Sequence, residues 1–219
     1  MSQTTLPEPE LATGWPISKV AACLQSANKD DLIAFLERRY EERFFEPIQV
    51  LKTSAGNHRG FGFAIVALCS LLVESLQSFR YGLPTTHEAE YAQGLAHFVP
   101  PPEYVINKAE HRNGRQAFED FFSLTIHQNL FPGVDGLVFY RAIRNGLLHQ
   151  AQTKEGWRIR SAEAQLWNAT DRIVDRTKFS NALKKAFEKY IEELTSAAWT
   201  DDIWLKTRRK IWWLMQLSK

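Results

Sequence analysis

Between Asp135 and Gln152 the chain places two arginines, an asparagine and a histidine at spacings that a helix brings to one side. Taking Arg144 as origin and about 100° per residue, Arg141 falls near ~60°, Gln152 near ~80°, Asn145 near ~100° and His149 near ~140°. Phe139, Tyr140, Ile143, Leu147 and Ala151 occupy the opposite arc. The polar arc carries no acid and seats an imidazole among two guanidinium groups, which makes an anion site with an acid–base group beside it. Such a set can cut RNA without a metal. A base draws the proton from the 2′-OH, which attacks the neighbouring phosphorus; an acid protonates the departing 5′-oxygen; cations steady the charge on the phosphorane. Imidazole exchanges protons near neutral pH, and guanidinium presents a planar fork to phosphate oxygens. Asn145, four residues before His149, shares its side and can orient the imidazole or the phosphate.

A plainer use of the same residues is an amphipathic surface helix, with His149 bonded to a neighbour and Arg141 paired with an acid on another helix. Glu74 bears on the choice. Leu71, Leu72, Val73 and Leu76 surround it in sequence, and a carboxylate drawn into apolar surroundings requires a hydrogen-bonded or charged partner. The expected partner is Arg144 or Arg141, whose side chain Glu74 would fix; a solvated glutamate at the helix edge is the alternative. Asn57-His58-Arg59 and His111-Arg112-Asn113-Gly114-Arg115 are either extensions of a phosphate-binding surface or ordinary loop polarity.

The stretch Arg144-Asn145-Gly146-Leu147-Leu148-His149, with Phe139-Tyr140-Arg141-Ala142-Ile143 before it and Gln150-Ala151 after, resembles the arginine, polar residue, short spacer, histidine signature of HEPN domains, the higher eukaryotes and prokaryotes nucleotide-binding superfamily. The resemblance implies an α-helical bundle and a homodimer that brings two motifs together. It also implies metal-independent endoribonuclease activity, often in toxins or antiviral defence, and so an antitoxin or other regulatory partner. Three positions carry over: Arg144 as phosphate-binding cation, Asn145 as orienting polar group, His149 as general acid/base, with Glu74 and Arg141 in support. Unpaired RNA is the natural substrate, since a duplex restricts in-line geometry. The competing reading is a non-catalytic helical module that binds RNA, a nucleotide or a protein through the same basic face. No metal or cofactor is called for.

The elements that must position these residues are mainly helical. Asn28 with Asp31 three positions on has the form of a helix N-cap, predicting a helix from about Lys29 to Phe45 that Pro47 interrupts or restarts. Phe61 onward, through Ile65, Leu68, Leu72, Leu76 and Phe79, is apolar nearly all round, as in a helix enclosed by others. A helix over 86–98, another over 115–130 ended by Pro132-Gly133, and a clear one carrying Phe179, Leu183, Phe187, Tyr190 and Leu194 follow. Residues 156–175 alternate polar and apolar and predict a small β-hairpin or meander. The expected organisation is a disordered lead-in over 1–15, a helical extension over 16–55, a HEPN-like core over 56–196, and an aromatic, basic C-terminal helix over 197–219 packed on the core or a dimer partner.

The 219 residues form a chain long enough for a sizeable core, and its net charge of +2 makes any nucleic-acid site a local one. Cys23 and Cys69 both lie in apolar helical patterns, which suits buried thiols in a reducing, cytoplasmic setting. The apolar run Phe61–Val73 falls short of the roughly 20 residues a bilayer requires, so no membrane span is expected. Gly-rich phosphate loops, a Gly-x-Ser-x-Gly elbow and zinc-type Cys or His spacings are absent from the sequence.

Overall fold

The computed structural model describes residues 7–54, 61–86 and 98–218. Order begins earlier than a lead-in through residue 15 allows. Strands β1 (Glu10–Ala12) and β2 (Trp15–Pro16) pair antiparallel, and Leu11, Ala12 and Trp15 are buried in the core. Gly14, at φ +75°, makes the turn between them.

Helix α1 (Ile17–Gln25) leads to α2 (Lys29–Tyr40). Asn28 caps α2 as expected, its side chain accepting the Asp31 N–H at 3.1 Å. Pro47 does not break the helix. A π-helical turn, Glu41–Phe45, carries the chain past it into α3 (Glu46–Thr53); the wider turn accommodates a residue that has no N–H to give and a ring that crowds the turn before it.

Helix α4 (Phe61–Tyr81) is the axis of the fold, packing on α3, on α5 (Gly114–Ser123), on α7 (Asn145–Gln150), on α8 (Arg176–Ser196) and on α9 (Asp202–Leu217). It runs further than the apolar stretch ending at Val73, and by length and composition alone it would cross a bilayer. Here 56% of its most apolar window is buried against other elements. It stops at Gly82, which adopts φ +65°, with Leu83 N–H returning to the Ser78 carbonyl at 2.8 Å. The basic residues of α9 complete this end: Arg209 donates to the Gly82 carbonyl at 3.1 Å and Lys210 to that of Pro84 at 2.9 Å. The C-terminal helix therefore packs on the body, burying Trp204, Ile211, Trp213 and Met215, while the Trp204 indole N–H reaches the Leu194 carbonyl at 2.9 Å.

One hydrophobic cluster runs from Leu11 through Phe35, Leu72, Phe121 and Phe187 to Met215. The N-terminal helices share this core instead of extending from it. Cys23 and Cys69 are buried free thiols.

The alternating segment forms a three-stranded sheet in the order β3 (Arg158–Arg160), β5 (Ile173–Asp175), β4 (Trp167–Asn168). A hairpin or meander would be antiparallel throughout; here β3 runs parallel to β5, Arg158 opposite Ile173. Trp157 and Trp167, ring centroids 4.0 Å apart, fix its inner side. Asp175 then caps α8, accepting the N–H groups of Thr177 and Lys178 at 3.0 and 2.8 Å. The sequence helix over 115–130 is shorter than expected. Asn113 starts α5 with a capping box shared with Gln116, and α5 ends at Ser123 before the short 3₁₀ turn Thr125–His127. The helix expected over 86–98 lies, but for its ends, outside the described residues.

His127 is buried among Phe121 and Phe131. Its Nδ1 donates to the Phe121 carbonyl at 2.8 Å, and Nε2 has no partner among the described residues. Burial lowers its pKa to about 4, with nearby Arg80 acting in the same direction. In the unfolded chain the group titrates near ~6.5, so between those values only the unfolded state holds the proton. The contribution to stability is present above about 6.5 and is lost as pH falls to about 4, on the order of 3 kcal/mol. Urea unfolding at pH 7 and pH 4.5 is expected to show this fall. His127→Phe, less stable at neutral pH, should fall less; an equal fall in both proteins would clear His127 of the effect.

Candidate functional site

Arg144, Asn145 and His149 lie on one helical segment, but that segment is not a plain α-helix. It begins at Gly136, with the Asp135 side chain accepting the Val138 N–H at 2.9 Å. The short α6 (Gly136–Val138) passes into a π-helical stretch, Phe139–Arg144, and then into α7. Phe139, Ala142, Ile143, Gly146 and Leu147 are buried, so three residues of the expected apolar arc, Phe139, Ile143 and Leu147, face the core, while Tyr140 is half-buried and Ala151 is exposed. A π turn holds more residues than an α turn, which displaces Arg141 from the position an α-helical wheel gives it relative to His149. The helix ends at Gln150, where Ala151 takes the left-handed conformation at φ 53°. Gln152 therefore stands beyond the helix and does not belong to its polar side.

The glycine between Asn145 and His149 has a packing reason. The chain after the helix folds back over it: Gln152 N–H bonds the Gly146 carbonyl at 3.3 Å and Lys154 N–H bonds the Ala142 carbonyl at 2.8 Å. A Cβ at position 146 would overlap the Gln152 carbonyl oxygen. Any larger residue pushes residues 152–154 off the helix and removes both bonds.

Arg144 is held on three sides. Its Nε donates to Glu74 Oε1 at 2.7 Å and its Nη1 to Asn145 Oδ1 at 3.0 Å, and the guanidinium lies 5.5 Å from the Tyr140 ring centre. The Arg144 and Glu74 side chains are only 11% and 16% exposed, so of the two arginines considered as partners for Glu74 it is Arg144 that takes the place. Among the described residues two of the five N–H donors of this side chain are used, leaving the rest for another acceptor. Arg141 is turned outward and forms a two-point pair with Glu155, 2.7 and 2.8 Å; the hydrogen bond and charge of Glu155 raise its pKa. The Glu155 backbone carbonyl in turn accepts from Arg172 at 2.6 Å. His149 is exposed at the surface, as is its neighbour Leu148.

No family model, characterised protein or solved structure matches this chain. The site is therefore judged on its geometry. Glu155 and Tyr140 were not singled out by spacing: Glu155 acts across a loop whose path only the fold sets, and Tyr140 sits on the apolar arc of an α-helical wheel. Asn57-His58-Arg59 lies outside the described residues. The His111–Arg115 cluster is spent on the fold: Arg112 pairs with Asp120 at 3.0 Å and lies over the Tyr81 ring, Asn113 caps α5, and Arg115 pairs with Glu119 at 3.2 Å. Among the described residues no three His, Cys, Asp or Glu side chains gather as a metal-ligand set.

Chemically, the arrangement offers an oriented guanidinium with donors to spare, an amide held against it and an imidazole open to solvent on the next turn. Clefts of about 210, 470 and 500 Å³ are lined by other residues.

Proposed function

We propose that this protein is a metal-independent endoribonuclease of the HEPN type, in which Arg144 binds the scissile phosphate, Asn145 keeps the guanidinium in place, and His149 moves the proton. The observation that carries the reading is the contrast within one helical segment: Arg144 fixed by Glu74 and Asn145, His149 exposed beside it. A preorganised cation stabilises charge that develops on the phosphate without having to reorganise during the reaction, and an accessible imidazole can reach a 2′-OH or a departing 5′-oxygen.

One His149 serves as base or as acid; transesterification uses both, which two subunits would supply by facing each other. The surface of α4 favours such a pairing. Phe63, Leu71 and, on α7, Leu148 are 37%, 42% and 37% exposed, with Ala67 and Leu68 half-buried between them. Residues 63, 67 and 71 follow one helical stripe, and Glu74, the partner of Arg144, continues it one turn later. A second copy laid on this stripe would cover apolar surface and turn two open faces into one groove. Leu71→Glu is expected to shift the protein to monomer in analytical ultracentrifugation and to remove RNA cleavage together with it; a variant that stays dimeric and active would place the contact elsewhere.

The direct test is incubation of the purified protein with unstructured RNA in EDTA. Products ending in 2′,3′-cyclic phosphate and 5′-OH support the reading. Intact RNA at high protein concentration favours the second reading, a non-catalytic module that binds RNA, a nucleotide or a protein. Within that alternative the carboxylates opposite both arginines favour a protein partner, since they lower the affinity of the face for anions.

A further inference from the structure

We propose that the cleft between α1, residues 101–104 and α9 is a binding site for a flat aromatic monocarboxylate. The cleft holds about 470 Å³, within the range of small-molecule sites, and its lining sets apolar walls beside the polar side chains of Gln25, Glu103, Arg208 and Gln216. Ile17, Ala21 and Leu24 of α1 form one wall, and Trp212 and Met215 of α9 the other. Tyr104 closes it, its ring centre 6.3 Å from that of Trp212 and tilted by 51°. Two rings set at an angle favour a planar guest, which can meet one face-on and the other by its edge.

The walls are fixed in advance of any ligand. Arg209, next to the cleft residue Arg208, is 3% exposed and ties the segment after Tyr104 to α9, donating to the Val105 carbonyl at 3.4 Å and to Glu110 at 3.2 Å. Tyr104 N–H bonds the Pro101 carbonyl at 2.8 Å. A preformed cleft loses little conformational freedom on binding.

Arg208 supplies the charge. Its Nε donates to the Trp204 carbonyl at 3.3 Å and its guanidinium lies 4.5 Å from the Trp199 ring centre. Among the described residues it has no carboxylate within ion-pair distance, in contrast to Arg80, Arg112, Arg115, Arg141, Arg144 and Arg209. Its terminal nitrogens remain for a ligand anion, which a guanidinium fork meets at two points. Glu103 belongs to the same lining and opposes a second negative charge, so a monocarboxylate fits where a phosphate monoester does not.

Titration calorimetry with 2-naphthoate tests this. Binding in the micromolar range is expected, weakened at least tenfold in Arg208→Gln and largely kept in Arg208→Lys. Ala21→Phe, which fills the cleft, should abolish it, with thermal melts showing that each variant is folded. The uncharged 2-naphthamide should bind the parent protein about as weakly as 2-naphthoate binds Arg208→Gln. Absence of 2-naphthoate binding at millimolar concentration, or equal binding by Ala21→Phe, overturns the site; binding blocked by Ala21→Phe yet unchanged in Arg208→Gln overturns the ligand class.

Discussion

His149→Ala is expected to slow EDTA-resistant cleavage of an unpaired oligoribonucleotide by about 10²–10⁴-fold, the range that one positioned acid or base contributes. The side chain is exposed, so its removal should change the melting temperature little, and loss of activity then reports on the chemistry. Arg144→Ala should fall at least as far because it removes the phosphate contact and also leaves Glu74 without its cation. Arg144→Lys separates these effects. The ammonium keeps a charge near Glu74 but lacks the planar fork that can bond Glu74, Asn145 and a phosphate at once, so activity should remain low while stability recovers. Cleavage by His149→Ala at the parental rate would show that the imidazole takes no part.

Glu74→Ala is expected to cost about 3–5 kcal/mol of folding stability, since it strands the largely buried Arg144 guanidinium without its counter-charge. The two side chains are 11% and 16% exposed and meet at 2.7 Å, so water replaces the lost partner poorly. The double variant Glu74→Ala/Arg144→Ala should be more stable than Glu74→Ala alone, because it no longer buries an unpaired charge. Urea unfolding of the four proteins of this cycle gives the coupling directly. A loss below about 1 kcal/mol for Glu74→Ala would mean that the pair is hydrated like a surface salt bridge. Glu74→Gln should keep a hydrogen bond to Nε and fall between the parent and Glu74→Ala.

The helices legible in the sequence are those whose cause is local. Asn28 caps the helix that follows because its amide lies within reach of an N–H three residues on. The apolar stripe of Phe179, Leu183, Phe187, Tyr190 and Leu194 repeats at the period of α8. The demand of Glu74 for a cation was also readable, from the leucines and valine around it. So was the inward arc of the helix that carries His149.

What lay beyond the sequence depends on where distant segments pass. Two arginines were equal candidates for Glu74, and the π turn at Phe139–Arg144 together with the packing of α7 on α4 gave the place to Arg144. Arg141 went instead to Glu155, on a loop folded back over Gly146. Residues 10–12 pair with 15–16 because Leu11 and Trp15 find the core, which no period in so short a stretch announces. The parallel setting of β3 on β5, the burial of His127 and the cleft beside Arg208 have the same origin. Spacing over a few positions was enough to show which residues turn inward along α8 and, for Phe139, Ile143 and Leu147, along the segment that carries His149. The tertiary structure alone decided which charges meet and which stay open to solvent, because those distances are set by the path of the whole chain.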